Sequence, residues 1–180
     1  MESIDHDRWE RLLDAVRHVD GEPVAGAEAV PVTVERGGTR SVAWLVPRLL
    51  GAFALLAVGA VHLQQYVTLY SGIPTIGTLF VLNFAGATVI ALGLLAPLEI
   101  VLGRRWGGRA VGLLALGGIA LAATSFVFLA ISEQTPLFGF MEPGYDPSAI
   151  LASRIAEVGT VLLLGAYAVG RFVAHTARAW

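Results

Sequence analysis

Two residue types are missing outright. There is no cysteine among the 180 residues, which excludes disulfides, iron–sulfur clusters, thiol redox chemistry and cysteine-based zinc sites. There is no lysine either, and all 12 basic side chains are arginine. Together with the abundance of Ala, Gly, Val and Leu, that bias suggests a GC-rich genome. Charge is scarce overall: charged residues make up 14% of the chain, against about 25% in soluble domains. The net charge is −2 and no basic patch stands out, so nucleic acid is not an expected partner. No phosphate-binding loop, dinucleotide fingerprint, nucleophile elbow or zinc-protease motif occurs. The glycines from Gly103 to Gly108 lack the flanking strand that a phosphate cradle needs. Whether the chain is an enzyme is left open by its residues.

What the chain does have is apolar length. The mean hydropathy is +0.70, and almost all of it lies after Ser41. Four segments, at about 43–66, 75–98, 110–131 and 148–173, each reach the roughly 20 residues needed to cross a hydrocarbon core of about 30 Å. Pro74 marks the start of the second. Asp146-Pro147 reads as the N-cap and first residue of the fourth. The short connections make consecutive spans antiparallel neighbours. The expected fold is therefore all-α, a four-helix antiparallel transmembrane bundle occupying residues 42–180. Ala87 with Ala91, Gly118 with Ala122, and Ala166 with Gly170 are small-xxx-small pairs suited to close helix contact.

Residues 1–41 form a separate polar segment. Trp9, Leu12, Leu13, Val16 and Val19 recur at helical spacing. Asp7, Arg8, Glu10, Arg11, Asp14 and Arg17 fall mainly opposite them, which predicts a short cytoplasmic amphipathic helix ending near Gly21. Pro23, Pro31 and Gly37-Gly38 then read as a linker with a small hairpin. The acidic N-terminus, with its first long apolar run only after Pro47, predicts no cleavable signal peptide.

Arginine orients the spans. Arg36, Arg40 and Arg48 precede the first; Arg104, Arg105 and Arg109 lie between the second and third; Arg171 and Arg178 follow the fourth. The remaining loops carry either no charge or Glu133, Glu142 and Asp146. Positive charge concentrates on the cytoplasmic side, so the reading is a multi-pass protein of the cell membrane with both termini in the cytoplasm.

Each span also carries a polar residue, and the four lie at one level. His62 is 14 residues from Arg48, Asn83 is 16 from Glu99, Ser125 is 16 from Arg109 and Glu157 is 14 from Arg171. At about 1.5 Å per residue all four sit roughly 21–24 Å from the cytoplasmic edge, in the outer half of the membrane. Thr124 joins them. Ionisable groups facing lipid are costly, so they are expected to turn inward and find partners. Gln65 and Tyr66 share a face with His62, and Arg154 is three residues from Glu157, close enough for the two to pair with each other or with groups across the bundle. The pocket candidates are thus His62, Gln65, Tyr66, Asn83, Arg154 and Glu157, opening to the outside. The competing reading is a satisfied polar plug that fixes helix register, with Tyr66 and Tyr70 as ordinary interfacial residues. No metal-ligand spacing is present. An apolar cavity with a few polar groups suits a lipid-like or quinone ligand.

The stretch His62-Leu-Gln-Gln-Tyr, with Tyr70-Ser-Gly-Ile-Pro-Thr-Ile-Gly-Thr-Leu-Phe-Val-Leu-Asn83, resembles a pattern in small membrane proteins of high-GC prokaryotes. Pro136-Leu-Phe-Gly-Phe-Met-Glu142 and Glu157 are similar to the same group. The resemblance covers the membrane part, omits residues 1–41 and implies no activity. At the level of fold alone the bundle is similar to DoxX-like four-helix proteins. Three functional readings follow: a protein with an outward polar pocket, an accessory subunit of a larger membrane complex that docks through the amphipathic segment, and a proton-coupled carrier. The lipid bilayer is the expected surrounding, with a partner protein or a second copy as further partners. The carrier is the least favoured, because nothing polar continues from the layer toward the cytoplasm.

Overall fold

A computed structural model describes residues 37–176, together with Glu10, Leu13 and Asp14, which are helical and exposed. The rest of the expected amphipathic helix over Trp9–Val19, and the linker up to residue 36, lie outside the described residues. The described chain is helical, with no strand. α1 spans Gly37–Gln65 and runs into a π-helical turn, Tyr66–Tyr70. α2 spans Pro74–Leu95, a single turn α3 spans Leu98–Val101, α4 spans Gly103–Ser132 and α5 spans Pro147–Thr176. Four stretches are long and apolar enough to cross a membrane: Trp44–Tyr70, Pro74–Leu95, Gly103–Ser132 and Pro147–Ala174.

The long helices form a ring in which α1 packs on α2, α2 on α4, α4 on α5 and α5 back on α1, while the diagonal α1–α4 contact is slight. This is the expected antiparallel four-helix bundle. Its core is built largely of small side chains, with Ala52, Ala87, Ala91 and Ala115 fully buried beside Leu55, Leu94, Val111 and Leu164. Alanine lets the helix backbones approach closely, which suits packing in lipid, where helices gain no hydrophobic driving force from one another. The outside is apolar too. Val89 is 67% exposed, Leu113 70% and Leu162 66%, the surface of a bundle covered by hydrocarbon rather than water.

Of the small-residue pairs, Ala87, Ala91, Gly118, Ala122 and Gly170 are buried, whereas Ala166 faces outward. A Cβ at Gly118 would lie 2.8 Å from Leu164 Cδ1 and 3.1 Å from Leu55 Cδ2. A Cβ at Gly170 would collide with the Trp44 ring.

The helices and the expected spans differ by three residues or more at four ends, one of them the end of α5, which runs to Thr176 rather than about 173. α1 is described from Gly37, so Gly37-Gly38 are helical rather than a hairpin turn. Hydropathy marks only the apolar part of a helix, and glycine costs little at a terminus. α4 likewise starts at Gly103, because its arginine-rich first turns are helical although too polar for the hydrocarbon. α2 stops at Leu95, three residues short of the expected end. Pro97 pushes Ala96 to an extended backbone at φ −67°, ψ 145°, the geometry that a following proline favours.

The end of the bundle that carries the arginines is held by one buried cation. Arg48 is only 6% exposed. Its Nε donates to the Leu94 carbonyl at 2.7 Å and its Nη2 to the Ala96 carbonyl at 2.8 Å. Its Nη1 reaches both oxygens of Glu99 at 3.1 Å. The guanidinium thus closes the C-terminal end of α2, where unpaired carbonyls concentrate negative charge. Arg171 lies 3.9 Å from the same Glu99 and donates to Tyr167 Oη at 2.9 Å.

Candidate functional site

At the opposite end the four helices diverge around a cavity of about 260 Å³. Its walls are mainly apolar, with Ile76, Leu79 and Phe80 from α2, Phe128 and Leu129 from α4, and Ile150 from α5. The expected polar layer lies within it: His62, Asn83, Thr124, Ser125 and Glu157 all line the cavity, and Gln65 does so one turn further along α1. Two of the six pocket candidates do not line it. Tyr66 places its ring against Gly77, where a Cβ would stand 3.3 Å from Tyr66 Cε2. Arg154 forms an ion pair with Glu133 of the adjoining loop, with its side chain 41% exposed. Of the two pairings open to Arg154, the one with Glu157 is not made and the one with a group outside its own helix is. Glu157 points into the bundle, while Arg154, three residues away, leans toward the solvent-accessible loop, where a cation is less costly.

Glu157 is 1% exposed and is held by Ser153, whose Oγ donates to Oε1 at 2.9 Å. Asn83 is 8% exposed, and its Nδ2 donates to Ser125 Oγ across the α2–α4 interface. His62 Nδ1 lies 2.8 Å from the Val58 carbonyl, and its ring packs at a tilt against Phe80, centroids 5.0 Å apart. Two buried atoms remain without a hydrogen-bond partner among the described residues: Asn83 Oδ1 and Glu157 Oε2. Native interiors leave few such atoms. A buried polar atom left unpaired costs about 1–3 kcal/mol, so both atoms call for a partner.

The loop between α4 and α5 covers the end of the cavity. Leu137 and Phe140 exchange backbone hydrogen bonds of 2.7 and 3.0 Å around Phe138 and Gly139. Those two residues have φ of 52° and 81°, the positive values a type I′ turn requires at both central positions. Phenylalanine is costly there; its ring packs edge-on to Phe128 with centroids 6.1 Å apart. The turn directs Leu137 and Phe140 into the cavity. Glu142 then anchors the loop. It is buried, accepts a short hydrogen bond from Tyr70 Oη, and accepts the Gly144 and Tyr145 amides at 2.9 and 3.0 Å.

Tyr70 and Glu142 were not among the sequence candidates. On a regular α-helix, eight residues at about 100° each put Tyr70 about 80° around from His62. The wider π turn, closed by the Ser71 amide on the Tyr66 carbonyl at 2.9 Å, rotates less per residue and swings Tyr70 back toward the His62 face. π turns tend to occur at functional positions, but no residue type announces one. Ser153 was legible, since it lies one turn before Glu157 on the same face. Ser132 and Asp146 also line the cavity.

Asp146 joins the loop to two helices. Its Oδ1 accepts from Ser148 Oγ at 2.6 Å and from the Ala149 amide at 3.0 Å, as an N-cap of α5 should. Its Oδ2 accepts from Gln65 Nε2 at 2.9 Å. The Ser148 hydroxyl first, then the Ala149 amide and Gln65, hold this carboxyl below its ordinary value. A carboxyl lowered in the folded state stabilises fully above the ordinary carboxylate range and loses that contribution as pH falls through the lowered value. Asp146→Ala is therefore expected to reduce the unfolding midpoint in detergent at pH 7, with the difference from wild type shrinking steadily toward pH 3. A difference that is the same at both pH values would show that the carboxylate charge is not what the cap uses.

No family model, no curated protein and no solved structure matches the chain. The site therefore stands on its own geometry.

Proposed function

We propose that this chain is a multi-pass membrane protein, with both termini cytoplasmic, whose cavity binds a lipid-soluble ligand bearing a small polar head, such as a quinone-type ring. The observation that carries this reading is the pair of unpartnered buried atoms, Asn83 Oδ1 and Glu157 Oε2, on one apolar cavity. A few convergent polar groups in an apolar enclosure are what a small-molecule site offers. The size suits a head rather than a whole lipid: a cavity of roughly 150 Å³ holds a benzene ring, and this one has about 260 Å³.

The way in supports a lipid-soluble ligand. Of the residues lining the cavity, only Leu82 on α2 and Thr124 on α4 are exposed. Their exposure supports a mouth on the flank of the bundle, between α2 and α4, with the α4–α5 loop over the end. Entry sideways from the hydrocarbon suits a lipid-soluble ligand; a pocket open to the outer water is the alternative. The carrier reading gains no support. Below Glu157, Leu55, Ala87, Ala91, Leu94 and Leu164 are all fully buried and apolar; the buried Thr160 hydroxyl donates to the Ala156 carbonyl of its own helix, and among the described residues no polar chain runs on to Arg48.

Photolabelling tests the site. A decyl-benzoquinone bearing a diazirine, presented as a mixture of its oxidised and reduced forms to the full-length protein in micelles, should label Phe128, Leu137 or Ile150. Excess unlabelled compound should compete, and Ser125→Phe, which fills the cavity, should abolish the label. Labelling confined to outward residues such as Val89 and Leu113 would overturn the reading. The orientation is tested separately with reporters fused at the C-terminus and inserted at Gly139. They should report opposite sides of the membrane, and the same side for both would defeat the four-span topology.

A further inference from the structure

The arginine end of the bundle carries a surface that neither its own packing nor the cavity uses. Arg48 and Arg171 share Glu99, and Arg154 has Glu133. Arg104, Arg105 and Arg109, at the start of α4, are exposed and have no carboxylate partner among the described residues. The surface beside them is apolar: Ile100 is 84% exposed, Val101 72% and Trp106 65%. Arg105, Trp106 and Arg109 fall within an arc of about 100° on α4, away from Gly107, which is buried against α3. The Arg109 guanidinium stands 5.3 Å from the centre of the Trp106 ring, which holds the cation over an aromatic face at the surface.

Length fixes the depth of this surface. α4 has 30 residues, about 45 Å at 1.5 Å each, against a hydrocarbon core of about 30 Å and about 40–45 Å with both headgroup layers. The helix overruns the hydrocarbon by about 15 Å, and because guanidinium groups are costly in hydrocarbon the overrun takes in residues 104–109. Those arginines stand at the level of the lipid phosphates. Ile100 and Val101 would be an uncovered apolar patch in water; at this depth they meet the acyl boundary, where tryptophan also concentrates. We infer that the α3–α4 corner binds the headgroup of an anionic phospholipid, its phosphate on Arg105 and Arg109 and its apolar part against Ile100, Val101 and Trp106. The forked donors of a guanidinium match phosphate oxygens. A zwitterionic lipid brings its own ammonium with its phosphate and leaves three arginines without a net counter-charge. Neither the cavity nor its ligand enters into this site.

The test uses the full-length protein in vesicles of phosphatidylcholine and phosphatidylglycerol at equal mole fractions, with the acyl chains of one lipid or the other dibrominated. Bromine quenches tryptophan fluorescence on contact, and the difference between wild type and Trp106→Phe isolates the Trp106 signal. Trp106 is expected to be quenched at least about threefold more effectively by the brominated phosphatidylglycerol, since each arginine near an anionic surface adds an attraction of that order. The preference should fall toward one at about 0.5 M sodium chloride, where the screening length is roughly 4 Å. It should also be lost when Arg105→Gln and Arg109→Gln are combined, with Arg48 and Arg171 left in place. The salt measurement uses the wild-type chain, so it does not depend on the variant folding. Equal quenching by the two lipids, or a preference unchanged in the double variant, would overturn the site. No quenching of Trp106 by either lipid would place the surface in water, as a soluble acidic partner would require, and overturn it too. Loss of the preference in millimolar inorganic phosphate, but not in sodium chloride of the same ionic strength, would make a free phosphate the occupant in place of the lipid.

Discussion

Arg48→Ala is expected to cost about 3 kcal/mol of bundle stability, measured by unfolding in mixed micelles, because removing one partner of a buried pair leaves the other uncompensated. The Leu94 carbonyl and the Glu99 carboxylate lose the guanidinium as donor, and the Ala96 carbonyl is left with the Leu98 amide alone. The effect is held to the lower part of the usual range for two reasons. The Glu99 side chain is 33% exposed, and Arg171 stands 3.9 Å from it, able to take over part of the pairing. Arg48→Lys should fall between wild type and Arg48→Ala. An ammonium has one centre, whereas the guanidinium spreads its donors over two carbonyls and a carboxylate on different sides. If Arg48→Ala costs less than about 1 kcal/mol, the range of exposed ion pairs, then Arg48 is not the clamp of α2 that its geometry indicates. Arg171→Ala in the same background should then prove additive rather than coupled.

The second large effect is expected at Gly107. It sits where α4 passes against α3, and a Cβ there would overlap the Leu98 carbonyl and stand 2.6 Å from Glu99 Cα. Both neighbours are backbone, so no rotamer change relieves the contact. Gly107→Ala should destabilise by about 2 kcal/mol, as overpacking does, despite alanine's better helix propensity. Gly112 is the control. It lies on the same helix with open space around its Cα, and Gly112→Ala should stabilise by about 0.4–1 kcal/mol. Unfolding midpoints of the two variants should move in opposite directions. Movement in the same direction would show that α3 is not fixed against α4. The consequence would reach Arg48, since Glu99 belongs to α3.

The spans were legible because hydropathy over some 20 residues is a property of the local chain, and short loops leave antiparallel neighbours few other arrangements. The starts of α2 and α5 were legible for the same reason: Pro74 and Asp146-Pro147 act within one turn of themselves. The depth of the polar layer could also be counted, since the helical rise is constant, and His62, Asn83, Ser125 and Glu157 do line one cavity. Which side chains share that cavity, and which pairs form, could not be counted. Arg154 could reach Glu157 or Glu133 by distance alone, and the choice depended on where the α4–α5 loop came to lie. Tyr70 lay off the His62 face on an α-helix and reached Glu142, 72 residues away, only through the π turn. Glu142 read as one loop charge among three until the backbone around Phe138 and Gly139 folded it under.

The sequence by itself determined what is set by local composition and constant geometry: the number of spans, two of their starts, the depth of the polar residues and an expected orientation. The tertiary structure decided what depends on rotation and on contacts distant in the chain: that Arg48 closes α2, that Tyr70 meets Glu142, and that Asn83 Oδ1 and Glu157 Oε2 are the atoms left unpaired. Rise along a helix is the same for every residue type, whereas the partner a side chain meets depends on what the neighbouring helix presents at that height.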